Sequence, residues 1–248
     1  MADDFRSLAL TNYGHFTSMR AEHGRVRGLA LHLERLRRDA RTLFDIELDT
    51  DAVREECRRH IEGIETAMVR VTVAGHDFDM SHPAEPVKPN VLVTARAAAE
   101  LPAPPHRVQT VPFHRDVPAA KHVGLFGSLY LRRQAQLAEF DDVLFLDSED
   151  HIYEGATWNV VCVSGDRVIW PIGETLPGVT MRLLRQSHPG VEAYVPRSEL
   201  SGMDAIAEVN ANVGIRPIIA VDDIEFPADH PVFDHLRSTY DDVPWESL

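Results

Sequence analysis

From Val143 to Val221 the chain is a series of short apolar runs separated by turn residues, and this limits its fold more than any other feature of the 248 residues. Val143-Leu-Phe-Leu-Asp, Asn159-Val-Val-Cys-Val-Ser, Arg167-Val-Ile-Trp-Pro, Ala205-Ile-Ala-Glu-Val and Ile215 to Val221 each have strand length. Asp147-Ser-Glu-Asp and Ser164-Gly-Asp are turn signals. Helices are expected only where Ser128 can cap a segment running to about Phe140, and from Gly178-Val-Thr through Met181 to Arg185. A strand-rich core follows, with Glu154 in a turn between two of its strands.

The first hundred residues read differently. Leu29, Leu33, Leu36, Ala40 and Leu43 recur at helical steps, and Asp49 and Thr50 offer caps for a second helix with Val53, Cys57, Ile61 and Ile64 inward. Met68 to Ala74 alternates as a strand, and Asn90 to Ala95 reads as another. Ala97 to Pro105, rich in alanine and proline, is the linker candidate. The reading is α+β: a small N-terminal α/β domain over 1–98, a linker over 99–106 and a larger domain with a barrel-like core over 107–248. The tail from Pro227 is rich in proline and charge, with Phe233 and Trp245 as anchors.

A net charge of −14 argues against nucleic acid or an anionic membrane as partner, since both require a basic footprint. Cys57 and Cys162 sit in apolar or amphipathic runs and read as buried hydrophobes. His114, Asp116 and His122 are too irregularly spaced for a metal site, so no metal is expected. The opening residues carry no basic-then-apolar signal and no run has membrane-spanning length; the expectation is a cytoplasmic protein.

Chemistry concentrates in an ordered set. Lys121 lies among small and apolar neighbours, Ala119, Ala120, Val123, Gly124 and Leu125, which favour the uncharged amine that nucleophilic lysines need. The other lysine, Lys88, sits in a solvated Glu-Pro-Val-Lys-Pro-Asn context. Downstream come Glu154 and the helix start Gly178-Val-Thr. A lysine for a Schiff base, an acid for a pyridinium nitrogen and a helix N-terminus for a phosphate are the parts that hold pyridoxal 5'-phosphate. Singly, each has an ordinary reading: a helix-start charge, a solvated turn carboxylate, common Pro-Gly punctuation.

Tyr13-Gly-His-Phe-Thr-Ser-Met-Arg, His32-Leu-Glu-Arg-Leu, Lys121-His, Tyr153-Glu-Gly-Ala-Thr-Trp-Asn and Leu176-Pro-Gly-Val-Thr stand in the order of the class IV aminotransferases, which the chain resembles from about Asn12 to Ile218. That family includes branched-chain and D-amino-acid transaminases and aminodeoxychorismate lyase. The resemblance implies the D-amino-acid-aminotransferase-like fold, with the cofactor between two domains, and a homodimer. It implies that Lys121 is the catalytic, cofactor-bearing lysine and that Glu154 pairs with the ring nitrogen. Arg35, Val179 and Thr180 would reach the phosphate, with the backbone of Ala211 and Asn212 as a second contact and Asn159 beside the cofactor. By its own position, beside the leucine stripe of its helix, Arg35 would be a surface residue.

The implied reaction is transfer of an amino group between an amino acid and a 2-oxo acid. Asn210-Ala-Asn-Val-Gly-Ile-Arg-Pro and Lys121-His are similar to the lyase branch, which releases pyruvate by β,γ-elimination. Val123 to Phe126 and Asn210 to Asn212 depart from the transaminase pattern, and these departures motivate a third reading, a cofactor-binding protein without turnover. Arg20, Arg70 and Phe126 are the substrate candidates, the arginines through bidentate pairing with a carboxylate.

Overall fold

The computed structural model describes residues 6–248; residues 1–5, read above for a targeting signal, lie outside them. In chain order, α1 (Arg6–Thr11) precedes the hairpin of β1 (Gly14–Glu22) and β2 (Arg25–Arg27). That hairpin turns at His23-Gly24 with φ of 48° and 73°, the left-handed pair that matches strand twist. α2 (Leu29–Phe44), α3 (Thr50–His60), β3 (Thr66–His76) and β4 (Lys88–Ala97) follow. Beyond an irregular stretch come β5 (His106–Pro112), α4 (Phe126–Leu137), β6 (Asp142–Leu146), β7 (His151–Gly155), β8 (Asn159–Ser164), β9 (Arg167–Pro171) and α5 (Val179–Ser187). The chain closes with β10 (Val191–Ala193), β11 (Val195–Pro196), β12 (Ala205–Asn210), β13 (Gly214–Val221), β14 (Ile224–Glu225), α6 (Pro231–Asp241) and β15 (Trp245–Ser247).

Two compact units result. One takes the residues up to Ala98 together with Ala120–Leu125 and Pro244–Leu248; the other takes Ala99–Ala119 and Phe126–Val243. The six residues around Lys121, expected with the second domain, thus pack in the first unit, because backbone hydrogen bonds tie them to β1.

In the first unit an antiparallel sheet of order β15-β2-β1-β3-β4 carries α2 and α3 on one face. Alternation along β1 and β3 sends Met19, Ala21, Val69, Val71 and Val73 into a core with Leu29, Leu36, Ala40, Val53 and Cys57. Phe16, Ser18, Arg70 and Thr72, cross-strand partners, share the opposite face. Asp49 caps α3 by accepting from the amides of Asp51 and Ala52. α3 ends at His60, earlier than its apolar spacing predicts: Ile61 is still buried, but Ile64, expected inward, is exposed. Gly63 at φ 77° turns the chain there.

In the second unit the strands run β8-β12-β13-β5-β6-β7, and a further β7–β8 pairing closes them into a six-stranded barrel. Leu144, Ile152, Val160, Cys162, Ile206 and Ile218 fill its interior. Val161, Val163, Ala207 and Val209 face outward against Leu184 of α5 and Phe233 and Leu236 of α6, while Val143 and Phe145 pack with Ala135 of α4. Burial on both faces makes these strands read as continuous apolar runs rather than alternating ones. The interior also takes in Glu208, which accepts a hydrogen bond from Asn210 at 3.0 Å and has the Arg216 guanidinium at 3.8 Å and His106 Nδ1 at 2.8 Å.

Two local expectations need correction, and the tail gains elements that the sequence did not assign. Glu154 lies within β7, not in a turn; the turn is at 147–150, where Asp147 caps it by accepting from the amides of Glu149 and His151. α4 begins at Phe126 rather than Ser128. The tail from Pro227 folds into α6, entered through Pro231 in its first turn with the His230 side chain as cap, and into β15.

Candidate functional site

Lys121 sits on a short backbone pairing with β1. The amide of Phe16 donates to the Lys121 carbonyl at 2.8 Å, and that of Val123 to the Gly14 carbonyl at 2.9 Å, on either side of a His15–His122 bridge. The Lys121 amide donates to Asp39 of α2 at 2.9 Å, so a helix and a strand both fix its backbone. Its ammonium lies 4.9 Å from the centroid of the Phe16 ring, and the Arg70 guanidinium lies 3.6 Å from the same ring. Both are cation–π distances. Burial lowers the pKa of Arg70.

Arg35 is buried, against the surface position that its helical spacing suggests. It donates from Nη2 to the Thr17 hydroxyl and to His32 Nδ1, the latter at 3.2 Å. An arginine only donates, so His32 Nδ1 is the acceptor and Nε2 carries the proton. Burial, with Arg35 and Lys121 nearby, holds the His32 pKa well below 6.5, so the ring is neutral. Its Nε2–H is buried without a hydrogen-bond partner among the described residues. A guanidinium beside an unsatisfied N–H donor suits an anion.

In the second unit Glu154, 2% exposed, receives Arg115 Nη1 on Oε1 at 3.0 Å and the Leu176 amide on Oε2 at 3.0 Å. Asn159, its cross-strand partner, donates from Nδ2 to the Leu176 carbonyl at 2.9 Å. Leu176 leads to Gly178, the N-cap of α5, where a Cβ would run into Asn159 Oδ1. Gly178 offers no side-chain cap, so the first amides of α5 have no intrahelical acceptor. Thr180 Oγ1, buried in this first turn, has no hydrogen-bond partner among the described residues. Helix dipole, amides and orphaned hydroxyl together fit a phosphate.

The remaining expected residues are less convergent. The Asn212 amide is already engaged, donating to Asn210 Oδ1 at 2.8 Å, while its own side chain accepts from the Ala99 amide at 3.4 Å; Ala211 lies between them in the turn. Arg20 pairs with Glu22 at 2.7 Å. Phe126 is 80% exposed at the start of α4 and stacks on Tyr130. Sequence reasoning missed His32, Thr17, Asp39 and Arg115. His32 stands in the quoted His-Leu-Glu-Arg-Leu segment, three residues before Arg35, one helical turn away; Arg115 carries no signal of its own. Among the described residues no group of three or more His, Cys, Asp or Glu is placed to hold a metal.

The family profile of class IV amino-transferases matches residues 14–221. The chain belongs to this family. Class IV aminotransferases use pyridoxal 5'-phosphate, and within the second unit the start of α5, with the unpartnered Thr180 hydroxyl, is chemically suited to a phosphate such as that of this cofactor. The fold matches that of a putative 4-amino-4-deoxychorismate lyase from Legionella pneumophila, with TM-score 0.88 and 22% identity over 98% of this chain and 95% of that one. It also matches the Escherichia coli branched-chain amino acid aminotransferase, with TM-score 0.81 and 20% identity over 93% and 85%. A hypothetical aminotransferase from Mycobacterium tuberculosis in its PLP-bound form matches with TM-score 0.82 and 18% identity over 97% and 91%. No curated protein matches the sequence. No helix among the described residues is long and apolar enough to cross a membrane.

Proposed function

We propose that this class IV enzyme carries pyridoxal 5'-phosphate on Lys121 and transfers an amino group between an amino acid and a 2-oxo acid. The observation that supports it most is the shared Phe16 ring, with the Lys121 ammonium on it at 4.9 Å and the Arg70 guanidinium at 3.6 Å. An amino acid brings an amine and a carboxylate a few ångströms apart, and a nucleophilic amine beside a guanidinium suits that pair. When bound, the cofactor supplies an electron sink for the substrate's α-carbon. Lys121 Nζ takes the α-proton and returns it. Glu154 holds a proton at the ring nitrogen. In the second unit Thr180 and the first amides of α5 supply donors for the phosphate; in the first, Arg35 and His32 Nε2–H supply anion donors and Arg70 orients the substrate carboxylate.

Pyruvate-releasing elimination from an amino-chorismate is the second reading, favoured by the Asn210-Ala-Asn-Val-Gly-Ile-Arg-Pro segment and by the extent of the likeness to the Legionella protein. The two separate in one experiment. The protein loaded with cofactor is mixed with glutamate or with aminodeoxychorismate, and 2-oxoglutarate and pyruvate are measured. 2-Oxoglutarate formed from glutamate supports transamination; pyruvate formed from aminodeoxychorismate without added oxo acid supports elimination. Neither product, with cofactor bound, supports a protein without turnover.

A cytoplasmic homodimer completes the proposal. α4 supports the dimer, since Phe126, Leu129, Tyr130 and Leu137 leave an exposed apolar stripe on it.

A further inference from the structure

We propose that Arg115 is the positioning residue for Glu154, keeping it ionised and fixing the plane of its carboxylate toward the cofactor's ring nitrogen. The role rests on the reading of Glu154 given above. The two side chains meet at 3.0 Å, with 11% of the arginine side chain and 2% of the glutamate side chain exposed. A carboxylate so deeply buried takes up a proton unless a charge compensates it. A neutral acid brings its own proton to the ring nitrogen instead of accepting one from it. Arginine is permanently charged, and at contact distance its attraction for the ionised form is strong wherever water is scarce.

The surroundings hold Arg115 in place. Its segment is tied to β7 one residue before Glu154, where the Tyr153 hydroxyl donates to the Phe113 carbonyl at 2.6 Å. The amide of Phe113 donates to the Leu146 carbonyl at 3.2 Å, extending the β5–β6 pairing. Two neighbouring strands of the barrel therefore anchor the chain two residues before Arg115. On the far oxygen the Leu176 amide completes the grip, so one donor on each oxygen sets the carboxylate plane.

The test uses the whole protein and cofactor labelled with 15N at the ring nitrogen. Arg115→Gln keeps a donor but removes the charge; Arg115→Lys keeps the charge but loses the fork. Wild type is expected to show the 15N shift of a protonated ring. Arg115→Gln is expected to move that shift toward the unprotonated value and to weaken cofactor binding about tenfold to a hundredfold, the range for losing a charged hydrogen bond. Arg115→Lys should restore the protonated shift. Circular dichroism of the cofactor-free variants establishes that both are folded, and the Lys variant supplies the comparison should Gln fail to fold: its ring shift at the unprotonated value would overturn the charge argument. Unchanged affinity and a protonated ring in Arg115→Gln overturn the proposal while leaving the wild-type site intact. A wild type that takes up no cofactor overturns the reading of Glu154 itself.

Discussion

Glu154 and Asn159 stand opposite each other on β7 and β8, and both hold Leu176: the carboxylate accepts its amide and the carboxamide donates to its carbonyl. The proposed partner of the ring nitrogen and the start of the phosphate helix are therefore linked through one residue. Asn159→Ala leaves the buried Leu176 carbonyl unsatisfied and should cost about 1–3 kcal/mol. Thermal unfolding of the cofactor-free protein should drop, and the cofactor dissociation constant should rise. Gly178→Ala, which drives a Cβ into Asn159 Oδ1, should reproduce both effects.

Lys121 is expected to be the sole covalent attachment point. Borohydride reduction of the loaded protein should add the mass of the reduced cofactor to the peptide containing Lys121, and Lys121→Ala should show neither this adduct nor turnover. An adduct on Lys88 instead would refute the assignment.

The fold and the site were legible to different depths. The strands of the barrel were readable because both of their faces are buried, so each run is apolar throughout; α2 was readable because only one of its faces is. α6 was hidden by the prolines and charges around it, although Pro231 sits where a helix accepts proline. Lys121, Glu154 and the α5 start stood out by order and by resemblance. Arg35 did not stand out by spacing, because its burial depends on Thr17 of the facing strand β1 and on His32 one turn earlier on its own helix. Arg115 is about forty positions from Glu154, and the β5–β6 and β6–β7 pairings together bring the two into contact.

Arg70 should matter for substrate rather than cofactor. Arg70→Ala is expected to raise the KM for a carboxylate-bearing amino acid about tenfold to a hundredfold, the range for a charged hydrogen bond, with a smaller change in kcat. Cofactor affinity should stay near wild type. A loss confined to kcat would argue against carboxylate binding.

The α4 stripe predicts how the dimer is broken. Tyr130→Asp together with Leu137→Asp places like charges on an exposed helix face of a chain already at −14. Sedimentation should change from dimer to monomer with the circular dichroism spectrum retained. A wild type that sediments as a monomer would refute the dimer outright.

His15 predicts an acid-sensitive first unit. It is fully buried, neither ring nitrogen has a hydrogen-bond partner among the described residues, and burial lowers its pKa from 6.5 to about 4, with Arg35 and Arg38 adding to the effect and Asp39 opposing it. The unfolded chain binds a proton on this residue below pH 6.5 and the folded chain does not until about pH 4. Stability is therefore intact above 6.5 and falls between 6.5 and about 4, by about 3 kcal/mol for this residue alone. His32, also held well below 6.5, acts in the same direction. Urea unfolding at pH 7 and pH 4.5 should show the loss, and His15→Leu, which packs against Phe44 without a titrating group, should reduce it. An equal loss in His15→Leu would assign the acid sensitivity to other groups.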